Sequence, residues 1–403
     1  MKVGNDCHLT YCTNIHAGET WPAIRDILAA SLPRIRTLLD FTGPLAVGLR
    51  LSAAAAATLE SPDELSAFCA FLADGDYYVP TINGFPYGAF HGQRVKENVY
   101  LPDWRDPARL EYSNRLARLL AHLLSGRQDI EGSVSTVPGA FGSSVRGDAD
   151  VKAIAANILR HAAHLVSLRR RTGTAVTLAL EPEPACFIET IDDATTFFTR
   201  VLFDEALVAA VSRELDVPLT VDEVRRHVGV CLDACHMAVE FEDAGEALEK
   251  LRLAGVRICK VQISSALQLD HRTAAELNAA LAPFAEDTYL HQVVERTGAG
   301  LSRYVDLPDA LAAVSAAASA DGAGPRDWRV HFHVPIFIQA MQHLETTQPY
   351  LVSLLQLLKR EGFNGCLEVE TYTWDVLPEA YRTVDVCTAI AREIAWARTQ
   401  ILS

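Results

Sequence analysis

One stretch of this chain, residues 174–184, constrains the fold more than any other. Its first seven residues are all apolar or β-branched, and a carboxylate follows them at Glu181. A near-continuous apolar run predicts a strand that is buried on both faces, as in parallel sheets. An acid at the C-terminal end of such a strand lies where α/β barrels keep their active sites. Three later runs repeat the pattern and carry Asp233, Gln262 and Glu370. Four such runs in order predict a shared site.

The rest of the chain alternates between strand-like and helix-like segments. Strands are predicted at residues 8–16, 45–52, 77–84, 132–139, 174–181, 228–233, 256–263 and 365–371, with a ninth strand-like run at 328–337. The alternation indicates a mainly parallel sheet with right-handed crossovers, and eight units of this kind predict an α/β fold, the (β/α)8 TIM barrel. The alternative is an open doubly wound sheet, which the absence of a Gly-rich dinucleotide turn disfavours.

The ninth run needs its own explanation. We assign it to a long insertion of about residues 264–340, between strands 7 and 8, that folds over the barrel mouth. Most of this insertion, residues 264–327, is Ala-rich and is predicted to be helical. No repeat, low-complexity linker or charged tail marks a domain boundary, so we expect one domain over residues 1–403.

Composition narrows the range of partners and compartments. A net charge of −15 argues against a nucleic-acid partner, because such a surface needs basic residues to neutralise phosphates. Nine scattered cysteines without a CxxC pair indicate reduced thiols and a cytoplasmic protein. The N-terminal sequence has no signal pattern, and no apolar run is long enough to span a membrane, so no membrane insertion is expected.

Side-chain alternation along the strands sharpens the predicted site. Alternate residues of a strand face opposite sides. If Glu181, Asp233, Gln262 and Glu370 all point into the barrel, leucine and valine take most of the positions that face the helices. The four polar side chains should therefore converge at the C-terminal mouth. The same alternation places Lys260 and Glu368 inside the barrel one layer deeper, where we expect a buried ion pair.

Three carboxylates in one cavity would repel one another and become protonated unless a cation lies among them. Oxygen ligands from Glu, Asp and Gln suit Mg²⁺ or Mn²⁺, and added imidazole shifts the preference toward Mn²⁺, Co²⁺, Fe²⁺ or Zn²⁺. His236 follows Asp233 by three residues, within reach of metal or substrate, and His331 and His333 share one face of their run. Glu183, between two prolines, has the pattern of a solvated loop acid.

The order of polar residues along the chain resembles that of the xylose-isomerase-like TIM-barrel superfamily. It consists of Glu181, the Asp-x-x-His pattern of Asp233 and His236, a polar residue on the next strand and, last, Glu370. That superfamily contains sugar isomerases, ketose 3-epimerases and endonuclease-IV-type nucleases. More narrowly, four segments are similar to the EboE-type metabolite traffic proteins, which are encoded in gene clusters for the export or synthesis of small secondary metabolites. The segments are YCTNIHAGETW (11–21), LEPEP (180–184), HFHVPIF (331–337) and LEVETYTW (367–374).

The resemblance, which spans nearly the whole chain, implies a site with one divalent metal ion: Mn²⁺, Zn²⁺, Co²⁺, Fe²⁺ or Mg²⁺. It implies that the metal ligands are Glu181, Asp233, Gln262 and Glu370, and that His236 contacts the substrate. Because the epimerases usually have His where this chain has Gln262, the metal identity stays open, and His333 could supply the imidazole from the insertion. Further substrate contacts are expected from side chains near strand ends and pocket walls, namely Asn14, His16, Asn83, His331 and Trp374.

Two functions remain open at this point. The first is a metal-dependent isomerase or epimerase of a small polyhydroxylated carbonyl metabolite, a sugar or cyclitol, in a secondary-metabolite pathway. Glu181 and Glu370 would then move a proton on opposite faces of an enediolate. The second is a protein that binds and passes on such a metabolite without turnover. The two differ in whether both glutamates have a free oxygen facing the substrate.

Metal-dependent phosphodiester cleavage is disfavoured by the acidic charge and by too few histidine ligands for a trinuclear centre. Superfamily barrels often pair through their mouths, so a homodimer is also an expectation.

Overall fold

The computed structural model describes residues 1–4, 7–127, 129–317, 326–341 and 344–402. Its main sheet consists of eight parallel strands and a short antiparallel strand, Lys2–Val3, beside the first of them. We number the parallel strands β1 to β8 along the chain. They are Cys7–Tyr11, Leu45–Arg50, Tyr77–Asn83, Gly132–Thr136, Val176–Leu180, Val228–Asp233, Arg257–Ile263 and Cys366–Val369.

These eight strands form a nearly closed barrel. Consecutive strands from β2 to β8 pair in parallel, and β8 also pairs in parallel with β1. A parallel bridge between Cys12 and Gly48 joins the end of β1 to β2. The predicted (β/α)8 barrel is therefore confirmed. Strands β1 to β6 are buried along their whole length, as expected when side chains fill the barrel and helices cover it.

The helices between the strands cover the outside of the barrel, and one large hydrophobic core connects the two layers. The longest, Asp148–Thr172, ends at Gly173, whose φ of 76° is the left-handed conformation that glycine favours at a helix end. The other helices around the barrel are Trp21–Leu38, Ala53–Leu59, Pro62–Asp74, Pro107–Leu123, Ile191–Phe197, Glu205–Leu215, Val221–His227, Ala234–Val239, Ala244–Ala254, Gln348–Arg360 and Val386–Leu402. Among the described residues, none of the helices has the length and apolar character needed to cross a membrane.

The insertion between β7 and β8 is confirmed, and it contains a second sheet. The six strands of that sheet are antiparallel and lie in the order Gly300–Tyr304, Val293–Thr297, Arg326–Val330, Leu267–Arg272, Leu344–Thr346 and Ala340–Met341. Two helices, Ala274–Leu281 and Leu307–Ala317, accompany it. Only the start of the ninth strand-like run belongs to this sheet: the third strand, Arg326–Val330, includes residues 328–330, whereas residues 331–337 are not in a strand. We refer to residues 264–347 as the insertion.

The prediction of helix over residues 264–327 is confirmed for Ala274–Leu281 and Leu307–Ala317 and is wrong where strands lie instead. Three strands lie in this segment, and two of them form a tight hairpin in which Thr297 pairs with Gly300. The β-branched pair Val293 and Val294 and the glycines on either side of Ala299 favour this hairpin over the helix that the alanines indicate. Residues 318–325 of the same prediction lie outside the described residues.

A buried ion pair lies inside the barrel below its C-terminal mouth. Lys260 Nζ is 2.5 Å from Glu368 Oε2, and neither side chain is exposed. Lys260 also donates a hydrogen bond to Ser135 Oγ over 3.0 Å. The predicted pairing is confirmed. Gly48 makes room for it, because a Cβ atom at this position would overlap with the Glu368 carboxylate.

Candidate metal centre

Three carboxylates meet at the C-terminal mouth of the barrel. Asp233 ends β6, and Glu181 and Glu370 directly follow β5 and β8. They are 3% (Glu181), 1% (Asp233) and 5% (Glu370) exposed. One oxygen of each carboxylate lies within 4.8 Å of an oxygen of both others. The structure thus brings these three carboxylates together, and the fourth side chain that the strand alternation placed at the site, Gln262, contacts Glu370.

The Glu370 carboxylate is held by three side-chain amides. Asn14 and Asn83 donate hydrogen bonds to its Oε1 over 2.8 Å and 2.9 Å. Gln262 donates to its Oε2 over 2.5 Å, and the carbonyl oxygen of Gln262 accepts from the Cys231 thiol over 3.2 Å. In this arrangement Gln262 positions Glu370, and its role as a metal ligand stays a prediction that requires its amide to rotate.

Glu181 and Asp233 each have a buried oxygen without a partner. Asp233 Oδ1 accepts from the Ser264 hydroxyl over 2.6 Å and from the backbone N–H of His236 over 3.0 Å. Asp233 Oδ2 and Glu181 Oε2 have no hydrogen-bond partner among the described residues. Buried polar atoms are nearly always hydrogen-bonded, so these two oxygens point to a missing ligand. A set of carboxylate oxygens fits a divalent cation.

The electrostatics of the three acids agree with this interpretation. Burial raises the pKa of Glu181 well above its ordinary value, and the charges of Glu370 and Asp233 raise it further. Burial, followed by the charge of Asp233, raises the pKa of Glu370 in the same way. Burial also acts to raise the pKa of Asp233, but His236, His333 and the hydrogen bond from Ser264 outweigh it, so that pKa is lowered. A divalent cation would relieve this repulsion.

Three histidines lie beside the carboxylates. His236 belongs to the helix Ala234–Val239, whereas His331 and His333 follow the insertion strand Arg326–Val330. The Nδ1 atoms of His236, His331 and His333 lie 2.9, 2.7 and 2.9 Å from the oxygens of Pro182, the Gln292 side chain and the Glu370 backbone, in that order. An oxygen of this kind only accepts, so each Nδ1 carries the proton and each Nε2 has a free lone pair.

These Nε2 lone pairs face one another. His331 Nε2 lies 3.1 Å from His236 Nε2 and 3.2 Å from His333 Nε2. Burial, followed by the two neighbouring imidazoles, lowers the pKa of His331 well below its ordinary value. Burial likewise lowers the pKa of His333 to about 4. His331 and His333 are therefore arranged as neutral nitrogen ligands, and the Nε2 atom of His236 lies beside that of His331.

The expectation that Glu183 is a solvated loop acid is wrong. Glu183 is 5% exposed, and its Oε1 accepts a hydrogen bond from the Tyr100 hydroxyl over 2.8 Å. Gln292 of the insertion donates to the same oxygen over 3.4 Å, and Glu183 Oε2 has no partner among the described residues. The flanking prolines give no sign of this burial, because it depends on contacts with Tyr100 and Gln292, which are distant in the chain.

A cavity opens onto these groups. Its polar and acidic lining consists of Asn14, Asn83, Lys96, Tyr100, Glu181, Glu183, His236, His331, His333 and Glu370. The remaining wall is mostly apolar and aromatic, formed by Phe85, Pro86, Phe90, Val95, Val99, Tyr289, Leu290 and Tyr372.

Two residues predicted to contact substrate do not line this cavity. His16 follows a 3-10 turn, which turns its ring toward the Tyr11 hydroxyl, 3.2 Å away. Trp374 packs in the hydrophobic core, and Tyr372, two positions earlier on the same 3-10 turn, lines the cavity instead. Sequence reasoning also missed Tyr100 and Gln292. Both lie outside the barrel strands, where no periodicity predicts which side chains turn inward.

In comparisons with known proteins, no family model and no curated protein matches this chain. Solved structures of similar shape include the probable 3-DHS dehydratase AsbF involved in petrobactin synthesis from Bacillus anthracis, with a TM-score of 0.45, 12% identity, and 96% of this chain and 97% of that one covered. Another is the IOLI protein with a binding zinc atom, with a TM-score of 0.44, 12% identity, and 98% of both chains covered.

A third solved structure is a xylose isomerase-like TIM barrel protein from Mycobacterium smegmatis in complex with magnesium. Its TM-score is 0.45 and its identity 14%, with 100% of this chain and 99% of that one covered. For the present chain, the assignment as a barrel follows from its own strand order and from the Cys12–Gly48 bridge.

Proposed function

We propose that this protein is a divalent-metal-dependent isomerase or epimerase of a small polyhydroxylated carbonyl metabolite, a sugar or cyclitol. The observation that carries the proposal is the pair of buried, unpartnered oxygens on Glu181 and Asp233, beside Glu370. The sequence similarity to EboE-type proteins suggests a secondary-metabolite pathway. Glu181, Asp233 and Glu370 would hold the cation (Mn²⁺, Zn²⁺, Co²⁺, Fe²⁺ or Mg²⁺), with Gln262 or His333 as further ligands. When bound, the cation supplies Lewis-acid polarisation of the substrate carbonyl and its neighbouring hydroxyl.

The remaining roles, which are proton transfer, substrate contact and exclusion of water, are assigned to side chains of the cavity. One oxygen of Glu181 would hold the cation, and its other oxygen would take the proton from the carbon next to the carbonyl. Glu370 is held in one orientation by three amides and returns a proton to the enediolate on the opposite face. His236 contacts substrate hydroxyls. The aromatic wall around Phe90 and Tyr372 limits the access of water to the reacting carbon.

One observation favours the alternative function, binding and transfer without turnover. Both oxygens of Glu370 already accept hydrogen bonds from amides, so only Glu181 of the two proposed acid/base residues has a free oxygen. A protein that only captures a hydroxylated metabolite needs no second proton carrier. The cavity and the cation would then serve for recognition alone.

Exchange of the α-proton with deuterated water separates the two functions. The protein, loaded with Mn²⁺ or Co²⁺, is incubated with ketoses and cyclitol ketones in D₂O, and deuterium uptake is followed by NMR and mass spectrometry. We expect uptake with the wild type, and a loss of at least about 100-fold in Glu181→Gln, the range of general acid–base catalysis. The matched control is Glu361→Gln, at an exposed position. A compound that binds by calorimetry and never exchanges would favour the binding function.

The proposal extends to the surroundings of the protein. None of the nine cysteines, all of which lie within the described residues, forms a disulfide; this supports a reducing compartment, and we infer a cytoplasmic location. The net charge of −15 disfavours a nucleic-acid partner. The homodimer stays a prediction, which light scattering of the purified protein tests directly.

A further inference from the structure

The carboxylate of Glu183 lines the cavity and has no role in the proposed metal site. We propose that the substrate carries a protonated amino group, as in an amino sugar or an aminocyclitol, and that Glu183 binds this group. The inference rests on the proposed function, because it names the class of substrate for the same cavity. It adds a positive charge to the polyhydroxylated carbonyl compound and assigns the residue that recognises this charge.

The two oxygens of Glu183 have different surroundings. The side chain is 5% exposed. Its Oε1 accepts hydrogen bonds from the Tyr100 hydroxyl over 2.8 Å and from Gln292 Nε2 over 3.4 Å. Its Oε2 is buried and has no hydrogen-bond partner among the described residues. Because buried polar atoms are nearly always hydrogen-bonded, one oxygen is fixed by the protein and the other is left for a donor on the ligand.

No lysine or arginine of the cavity wall is available to balance this carboxylate. Among the described residues that line the cavity, Lys96 is the only one of these two types. Its Nζ donates to the backbone oxygens of Glu286 and Tyr289 over 2.9 Å and 2.6 Å, and to Asp306 Oδ2 over 2.7 Å. An ammonium group has three donors, so those of Lys96 are all used. The charge that pairs with Glu183 therefore has to come from the ligand.

The neighbouring imidazoles do not supply the missing donor. His331 Nδ1 lies 3.7 Å from Glu183 Oε1, which is beyond hydrogen-bond distance, and only 2.7 Å from the side-chain oxygen of Gln292. His236 Nδ1 lies 2.9 Å from the backbone oxygen of Pro182. Both ring protons are thus directed to other oxygens, and Glu183 Oε2 receives neither.

Charge favours an ammonium group over a hydroxyl as the donor to Glu183. Glu181, Asp233 and Glu370 are three further buried carboxylates nearby, and one divalent cation brings only two positive charges to them. Ionised carboxylates are costly to bury without opposite charge. A substrate hydroxyl would satisfy the free oxygen of Glu183 and leave its charge unbalanced. An ammonium group does both, and its charge-assisted hydrogen bond is about twice as strong as a neutral one.

The aromatic wall of the cavity also fits a cation. Phe90, Tyr289 and Tyr372 line the cavity as a triangle of rings. The ring centroids are 5.0 Å apart for Phe90 and Tyr289, 5.4 Å for Phe90 and Tyr372, and 5.1 Å for Tyr289 and Tyr372. The faces of aromatic rings are partly negative, so they attract ammonium groups and repel anions. The same wall therefore disfavours a phosphate ester as substrate.

Isothermal calorimetry with matched ligands tests the inference, at a pH where the amines are protonated. The first set is D-fructose, 1-amino-1-deoxy-D-fructose and D-fructose 6-phosphate. The second is D-glucose, D-glucosamine and D-glucose 6-phosphate, and the third is scyllo-inositol and scyllo-inosamine. In at least one set we expect the amine to bind at least about 10-fold more tightly than its hydroxyl analogue, as for a hydrogen bond to a charged group. The phosphate esters should bind more weakly than either.

Glu183→Gln keeps the shape of the side chain and removes its charge, so the ratio of the two affinities should fall to near one. Glu361→Gln, at an exposed position, is the matched control and should keep the wild-type ratio. If circular dichroism shows that Glu183→Gln is unfolded, Glu183→Asp replaces it. This variant draws the carboxylate back from the ligand and should also lower the ratio.

The outcomes separate this inference from the proposed function. If no amine binds more tightly than its hydroxyl analogue, or if the preference survives in Glu183→Gln, the inference is overturned. Exchange of the α-proton of neutral ketoses without a preference for amines would support the proposed function alone. A preference for amines without exchange would support the inference and favour the binding function. The titrations are repeated with Mn²⁺-loaded and chelator-treated protein, and a preference that Mn²⁺ abolishes would overturn the inference, because Glu183 would then bind the metal.

Discussion

The two halves of the cavity have different origins. The acidic half is built from the ends of barrel strands, where Glu181, Asp233 and Glu370 follow from strand alternation. The nitrogen-rich half depends on the insertion, which supplies His331 and His333 after its third strand. The acidic half is therefore positioned by the same hydrogen bonds that close the barrel. The nitrogen-rich half is correctly positioned only when a second sheet is docked. The difference shows that one site can combine side chains fixed by the barrel with side chains supplied by an insertion.

Asp233→Ala should have the largest effect, because Asp233 contacts both halves. Its carboxylate is grouped with Glu181 and Glu370 on one side and with His236 and His333 on the other. We expect the affinity for added Zn²⁺ or Mn²⁺ to fall by more than about 100-fold, above the range known for residues that contact only a metal ligand. Isothermal calorimetry measures the change, with Asp26→Ala at an exposed position as the control. An unchanged affinity would contradict Asp233 as a metal ligand.

Lys260→Met tests the buried ion pair below the acidic half of the cavity. The substitution leaves the buried Glu368 carboxylate without its partner, which should lower the free energy of unfolding by about 3–5 kcal/mol. Urea denaturation followed by circular dichroism gives this value. The double variant Lys260→Met/Glu368→Leu removes both charges and should recover most of the loss. Equal stability of Lys260→Met and the wild type would contradict a tight ion pair.

Substitutions of the amides that contact the candidate ligands should have smaller effects on cation binding. Gln292 accepts from His331 Nδ1, and Asn83 donates to Glu370. We expect Asn83→Leu to weaken the binding of the cation by about 10- to 100-fold. Gln292→Leu should weaken it less, because Gln292 contacts none of the three carboxylates of the site. Competition with a fluorescent chelator measures the affinity, and equal weakening by the two variants would mean that the halves form one coupled site.

An effect that depends on pH is expected at the junction of the two halves. Glu393 on the last helix accepts hydrogen bonds from the backbone N–H of Ile336 in the insertion and from the Thr371 hydroxyl. Burial raises the pKa of Glu393 to about 7 from an ordinary value of 4.5. The folded state therefore binds this proton more tightly than the unfolded state, and stability should fall as the pH rises from about 4.5 to 7.

Glu393→Gln should remove this pH dependence. At pH 8 we expect the variant to gain about 2–3 kcal/mol of unfolding free energy, because the cost of ionising a buried acid is absent. At pH 5 the gain should be small. Denaturation curves at the two pH values measure the difference, and a gain at pH 5 as large as at pH 8 would contradict the raised pKa.

The sequence predicts the barrel and its ion pair well, because strand alternation is a local pattern. That pattern places Glu181, Asp233 and Glu370 at the mouth and Lys260 beside Glu368 below them. It fails for features that depend on contacts distant in the chain, since no local period records which loops fold back on the site. The burial of Glu183 under Tyr100 and Gln292, the insertion hairpin and the inward position of Tyr372 are of this kind. The orientation of the Gln262 amide likewise depends on Glu370.

The pairing of the first and last barrel strands has a consequence for synthesis of the protein. β8 lies between β7 and β1, and Glu370 at its end meets Asn14, which follows β1. His333 in turn donates to the backbone oxygen of Glu370. A nascent chain on the ribosome therefore has neither half of the cavity until residue 370 has emerged. A product truncated before β8 would contain Glu181, Asp233 and the histidines at positions 236, 331 and 333. It would still have an incomplete carboxylate site and an open barrel.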